Sequence, residues 1–275
     1  MALPASRPLL ATEHTEFDRG AERIALELAR RVGTRLAAVV PIVSNSEYES
    51  IAPGLVARAE GEVRARLAAL EEEAARAGVP LDIRVRRGEE PWREIVGEAK
   101  AHDADLVVIR RRGKRGFLAN LMVGEMVGKV GTSAPCDVLM VPRAASPWAK
   151  RVLAGIDGTA AGPAVARAAA RAAAAAGLPL TVVSVAAHDT PAERTAAEAA
   201  VSTAVTSAAG EGAAVDGRIA VGKVADSIAS LASETGSDLV VVGRGGAAAH
   251  GALHFGSNAK RVVGLVPGAV LVVRT

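Results

Sequence analysis

The chemistry-bearing residues of this 275-residue chain gather in one stretch, Gly243–Ser257, GRGGAAAHGALHFGS. Its glycines include Gly243, Gly246 and Gly256, with Ser257 directly after the last, a G-x2-G-x9-G-S spacing. Glycine lets a backbone approach an anion closely and turn successive N–H groups toward it. A short apolar, β-branched run, Asp238–Val242, precedes the stretch, and Asn258–Val263 has the composition of a short helix. Strand, glycine-rich loop and helix N-terminus in that order make a phosphate cradle. The free N–H donors of the first helical turn and the positive end of the helix dipole both face the anion. Ser257 can add its hydroxyl. A glycine-rich loop alone is equally compatible with a plain surface turn, so the surrounding elements decide.

Those elements repeat. In the first half, strands are expected at Leu9–Thr12 within Arg7–Glu13, and at Leu36–Val43, Leu81–Arg86, Asp105–Ile109 and Cys136–Val141. Between them lie helices. One follows Asp18, a candidate cap, with Ala21, Ile24, Ala25, Leu28 and Val32 at helical spacing and Gly33 at its end. The others are Leu55–Ala77, Pro91–His102 and Gly124–Val130, with Ser44–Gly54 as a polar loop. The order then restarts with Val152–Ile156, Pro163–Ala176, Leu180–Val185, Pro191–Ala209, Val215–Val221 and Val224–Thr235. Ala-Asp105-Leu-Val-Val-Ile is echoed by Ser-Asp238-Leu-Val-Val-Val. Two βαβαβαβαβ halves, 1–146 and 147–275, joined through Pro142–Lys150, indicate an internal duplication. Strands alternating with amphipathic helices imply parallel sheets covered on both faces, an α/β architecture with right-handed crossovers.

The glycine spacing resembles the nucleotide-binding signature of the universal stress protein family. The closing run Ala269–Val273 and the opening run Arg151–Thr159, with Asp157 at its strand end, resemble that family too. The resemblance implies two tandem doubly wound parallel five-stranded sheets, adenine nucleotide alpha hydrolase-like, of strand order 3-2-1-4-5. In such a sheet ligands bind at the carboxyl ends of the strands where the order reverses. Asp157 and Gly243 end the two strands that flank this point. Carried over residue by residue, Asp157 would bond ribose, and Gly155 and Val185 would flank adenine with backbone groups. Gly243, Arg244, Gly245, Gly246, Ala247 and Ala248 would wrap the phosphates. Gly256, Ser257 and Asn258 would present N–H groups, with the Ser257 hydroxyl at the terminal phosphate. The family usually has an apolar residue where Asn258 stands. On the residues alone, Asp157 could instead cap the next helix, and Arg244 could neutralise phosphate or be solvated. The implied ligand is ATP or another adenine nucleotide, with or without Mg2+. The implied role is regulatory, in stress response, with at most weak hydrolysis. The resemblance also implies pairing of the halves through their last strands, Val138–Val141 and Val270–Val273, a homodimer, and a protein partner of unstated identity. A nucleotide-independent scaffold and a slow ATPase using Ser257 and magnesium are the alternatives.

The first half carries a degraded version of the same pattern. Glu13 stands at the strand-end acid, with Glu16, Asp18 and Glu22 around it. Arg110 takes the first glycine position, ten residues separate Gly113 from Gly124, and Glu125 takes the hydroxyl position. A carboxylate beside a phosphate is strongly unfavourable without an intervening cation. This half is therefore not expected to bind ATP in the family manner. Arg110–Arg115 holds five basic residues in six, readable as an anion or partner site or as a solvated loop.

Composition excludes other classes. Net charge is +3, with 22 basic and 21 acidic residues through Ala149 and 11 and 9 from Lys150 on. With aromatics at 2%, neither half suits nucleic acid. The single Cys136 rules out an internal disulfide or a cysteine metal cluster. No apolar run reaches membrane-spanning length, and MALPASRPLL lacks a signal-peptide pattern, so a cytoplasmic protein is expected. Gly217–Val224 nearly matches a P-loop but has Val224 where Ser or Thr is needed. His250 and His254, four apart without a nearby acid, are weak metal or phosphate ligands.

Overall fold

The computed structural model of the chain describes residues 5–44, 50–51, 53–111, 124–245 and 255–275. The first half runs β1 (Pro8–Ala11), α1 (Arg19–Val32), β2 (Leu36–Val43), α2 (Pro53–Arg76), β3 (Leu81–Gly88), α3 (Pro91–Ala101), β4 (Leu106–Arg110), α4 (Glu125–Ser133) and β5 (Asp137–Val141). The second runs β6 (Val152–Ile156), α5 (Gly162–Ala176), β7 (Leu180–Ala186), α6 (Pro191–Ala208), β8 (Val215–Val221), α7 (Val224–Glu234), β9 (Leu239–Gly243), α8 (Ser257–Leu265) and β10 (Ala269–Val273).

Local chemistry sets these bounds. Gly33 and Gly177 end α1 and α5 at φ 70° and 66°, a left-handed conformation that lets their N–H groups return to the last helical carbonyls. Proline opens α3 and α6, where a missing N–H costs nothing. Thr190 caps α6, accepting from Glu193 N at 3.3 Å. Two expectations are corrected. Asp18 does not cap α1 with its side chain; its carboxylate is committed elsewhere, as described below. Helix α4 continues past Val130 to Ser133 and stops at the C-cap Ala134, just before Pro135, which cannot extend it.

Among the described residues ten strands form one sheet, in the order β3-β2-β1-β4-β5-β10-β9-β6-β7-β8. Each half thus has order 3-2-1-4-5 and is parallel throughout. The two five-stranded sheets are fused, because β5 and β10 run antiparallel with Leu139 opposite Leu271. Alternate strand residues face opposite layers. Leu10, Val108, Leu139, Ala154, Val241 and Leu271 pack under α1, α5 and α6. Leu9, Val107, Val138, Leu153, Val240 and Val270 pack under α3, α4, α7 and α8. Both apolar layers run across the β5–β10 junction, so the two halves share a continuous core on each face. The Ala-rich sequence of α5 suits this place: small side chains let a helix approach the sheet closely, and eight of its residues are buried.

Candidate functional site

In the second half the strand order reverses between β6 and β9, and a crevice of about 600 Å3 opens beyond their carboxyl ends. Its floor is Gly155 and Val242, its walls come from α5, α6 and α7, and its far rim is the start of α8. A Cβ on Gly155 would lie 2.6 Å from Ile228 Cδ1, so a larger residue on this floor would have to displace the end of that α7 side chain. Asp157 stands exposed at the mouth. Its Oδ1 accepts from the Thr159 N–H at 3.2 Å and from the Thr159 hydroxyl. The local turn holds the carboxylate at the strand end rather than on α5.

The glycine loop enters and leaves this crevice at one point. Gly243 ends β9, and Arg244 O accepts from Gly256 N at 2.9 Å. A Cβ on Gly256 would stand 3.0 Å from the Cα of Gly245, so the two ends of the loop touch backbone to backbone. Gly256 is the N-cap of α8, and the first intrahelical bond is Lys260 N to Gly256 O. The N–H groups of Ser257, Asn258 and Ala259 therefore have no helical acceptor, and all three residues line the crevice. Among the described lining residues the charged side chains are Asp157 and Glu193; none is Lys or Arg. Glu193 is turned to His188, whose N–H bond, followed by its ring contact, holds the carboxyl below its ordinary pKa.

The same place in the first half is filled by the protein itself. Arg110, at the strand position of Gly243, lies across the crevice with its side chain 9% exposed. Its Nη2 bonds Glu13 Oε1 at 2.7 Å, and its Nη1 bonds Asp18 Oδ2 at 3.0 Å and Thr15 Oγ1 at 3.1 Å. Asp18 also accepts from Thr15 N and Oγ1, at 2.9 and 2.6 Å. Behind this network Glu22 is buried and accepts from Thr12 Oγ1 at 2.6 Å, with His14 Nδ1 at 3.0 Å. Burial raises the Glu22 carboxyl above its ordinary pKa, against the lowering effect of those two contacts. Glu125 begins α4 where Ser257 begins α8, and pairs with Lys129 at 3.0 Å.

A sequence model of the Universal stress protein family matches residues 6–142 and again residues 149–274. The chain belongs to the universal stress protein family. Among solved structures it is similar to a universal stress protein from Archaeoglobus fulgidus DSM 4304, at 16% identity and TM-score 0.77, covering 99% of this chain and 97% of that one. It is also similar to a functionally unknown protein from Pseudomonas aeruginosa PAO1, at 20% identity and TM-score 0.73, covering 99% and 93%. No match is found among curated proteins.

In this universal stress protein Gly155, Asp157, Val185, Gly243, Gly245, Gly256, Ser257 and Asn258 line one crevice. Gly246, Ala247, Ala248, His250 and His254 lie outside the described residues. Arg244 is corrected: it is neither solvated nor aimed at the crevice. It is buried, and its guanidinium bonds three carbonyls of the first half. The solvated-loop and anion readings of the basic cluster are likewise corrected for Arg110 and Arg111. Arg110 is ion-paired as above, and Arg111 reaches Val263 O and Val266 O. The remaining members of that cluster, 112–115, lie outside the described residues. The near P-loop is strand, since Gly217–Val221 belongs to β8. Thr159, Ala197 and Ile228 line the crevice as well. The Asp-Gly-Thr turn could have marked Thr159, whereas α6 and α7 residues have no local signal for facing it. Among the described residues no helix is long and apolar enough to cross a membrane.

Proposed function

We propose that the second half, 147–275, binds an adenine nucleotide in this crevice, and that the chain acts as a nucleotide-responsive regulatory module in stress response. The observation that carries the reading is the meeting of Asp157, the touching loop ends Gly245 and Gly256, and the free N–H groups of α8 around one cavity. A carboxylate at the mouth suits ribose hydroxyl donors. The converging backbone donors suit phosphate oxygens. A cavity of about 600 Å3 lies within the usual range for small-molecule sites. ATP is the proposed ligand. Mg2+ would enter on its phosphates, as that ion commonly does; among the described residues no cluster of three or more His, Cys, Asp or Glu offers a cage. The first half, 1–146, is proposed to take no nucleotide, because Arg110 and its carboxylate partners fill the corresponding place.

Calorimetric titration of the whole chain, stripped of carried-over nucleotide, with ATP and Mg2+ tests this. The expected result is one site per chain. Two sites would refute the division between the halves. The absence of binding by ATP, ADP and AMP would refute the reading as a whole.

A further inference from the structure

Two arginines cross the β5–β10 junction in opposite directions. Arg244 follows β9 at the entry to the glycine loop and is 4% exposed. Its Nη1 donates to Thr132 O at 3.2 Å, and its Nη2 to Ala134 O and Cys136 O, each at 2.9 Å. Thr132 O and Ala134 O close α4 of the first half, and Cys136 O follows just before β5. Arg111 follows β4 at the equivalent place, and its Nη1 donates to Val263 O and Val266 O, which close α8 of the second half. Ala134 and Val266 are the C-caps of their helices. Each half thus sends one guanidinium to the carboxyl end of the other half's helix. There it satisfies orphan carbonyls and complements the negative end of the dipole.

Both contacts bear on the crevice. Helix α8 presents its first N–H groups to the cavity, and Arg111 holds its opposite end. Arg244 joins the two ends of the loop with its own backbone: its N–H donates to Val273 O and its carbonyl accepts from Gly256, both at 2.9 Å. The side chain of that residue is anchored in the first half. The exit from the loop is held there as well. Phe255 is buried, and a Cβ on Gly131 of α4 would lie 3.4 Å from its ring.

Stability alone does not call for arginine here. Arg244 Nε is buried with no partner among the described residues. Desolvation lowers the pKa of both guanidiniums. An apolar side chain of similar length would fill the space without stripping a charge of water. What the guanidinium adds is a set of directional bonds to fixed carbonyls. A site built from backbone donors needs such fixing, because its donors must converge within a fraction of an ångström.

We propose that Arg244 and Arg111 are positioning residues for the phosphate end of the second half's crevice, through which the first half holds Gly245, Gly256 and the start of α8 in place. The inference rests on the nucleotide reading above. It assigns the first half a role in that site without a ligand of its own.

The test uses the full chain with Arg244→Met, Arg111→Met and Arg244→Lys, titrated with Mg2+-ATP and separately with adenosine, alongside melting temperatures. Adenosine lacks phosphate and reports the base and ribose end alone. The expected result is ATP binding weaker by about tenfold in each methionine variant, adenosine binding unchanged, and partial recovery with Arg244→Lys. Wild-type ATP affinity in the methionine variants would overturn the proposal, whatever their melting temperatures. An equal weakening of ATP and adenosine would also overturn it, since that is the mark of general loosening. Should Arg244→Met fail to fold, Arg111→Met and Arg244→Lys carry the same comparison. If the wild-type chain binds neither probe, the nucleotide reading itself fails, and this proposal with it.

Discussion

Arg110 donates to Asp18 across the first half's crevice, Nη1 to Oδ2 at 3.0 Å, from the strand position that Gly243 holds in the second half. The Asp18 side chain is 1% exposed. Removing one member of a buried pair leaves the other charge uncompensated, at a cost of about 3–5 kcal/mol. Arg110→Ala should therefore lower the denaturation midpoint strongly. Arg110→Gly should not create a second nucleotide site, because Glu13, Asp18 and Glu125 remain. Titration of that variant should still give one site, and a stoichiometry of two would show that the guanidinium was the sole barrier.

Among the described residues the Asp157 side chain hydrogen-bonds Thr159, two residues on, so little of the fold depends on it. A hydrogen bond to a charged partner is worth about 1.5–3 kcal/mol. Asp157→Ala should weaken adenosine and ATP alike by about ten- to a hundredfold, with little change in melting temperature. Unchanged affinity for both would remove Asp157 from the site. The common loss also separates it from Arg244, whose replacement should affect only the phosphate-bearing ligand.

Gly256 and Gly245 meet at backbone distance, and the neighbour of an added Cβ is main chain that cannot swing away. Gly256→Ala should push the loop's two ends apart by a few tenths of an ångström, at an overpacking cost of about 1–3 kcal/mol. ATP affinity is expected to fall more than adenosine affinity. An ATP affinity equal to wild type would mean that the loop ends need not touch for binding.

Glu22 sets a pH dependence. Its carboxyl pKa is raised, first by burial, with nearby Asp18 adding to the effect and Thr12 and His14 opposing it. A group whose folded pKa lies above its unfolded value favours folding when protonated. That contribution is present below the ordinary value of 4.5 and is lost as pH rises through the folded value. Glu22→Gln keeps the shape and removes the titration. Its stability should match wild type at acidic pH and exceed it increasingly toward neutrality, as read from melting temperatures across a pH series. A difference that stays flat with pH would contradict this.

Cys136 is buried just before β5, and burial, with Asp137 and Asp105 adding, pushes its thiol up to about 12. The thiolate is the reactive species. The native protein should resist a thiol-specific reagent at pH 8 and react with one equivalent once unfolded. Fast labelling of the folded chain would show that the junction opens.

Much of this molecule was legible in order along the chain. Apolar β-branched runs, Gly33 and Gly177 behind their helices, and the prolines at helix starts are local signals, and they marked both βαβαβαβαβ halves. The glycine spacing and Asp157 named residues that the sheet then brings to one crevice, because each stands at the end of a strand whose place follows from the strand order. Helix α4 runs three residues past its apolar pattern, which ends at Val130 while the helix continues to Ser133. The arginines were not legible. Arg110, Arg111 and Arg244 look alike in sequence, as basic residues beside glycine-bearing loops. Their partners lie 92, 152 and 110 residues away. A long side chain carries no local sign of its direction, and a carbonyl offers a guanidinium the same bond whichever residue owns it. Sequence determined where the crevices lie; the packing of two halves into one sheet decided that one is filled by Arg110 and that the other is walled in part from across the junction.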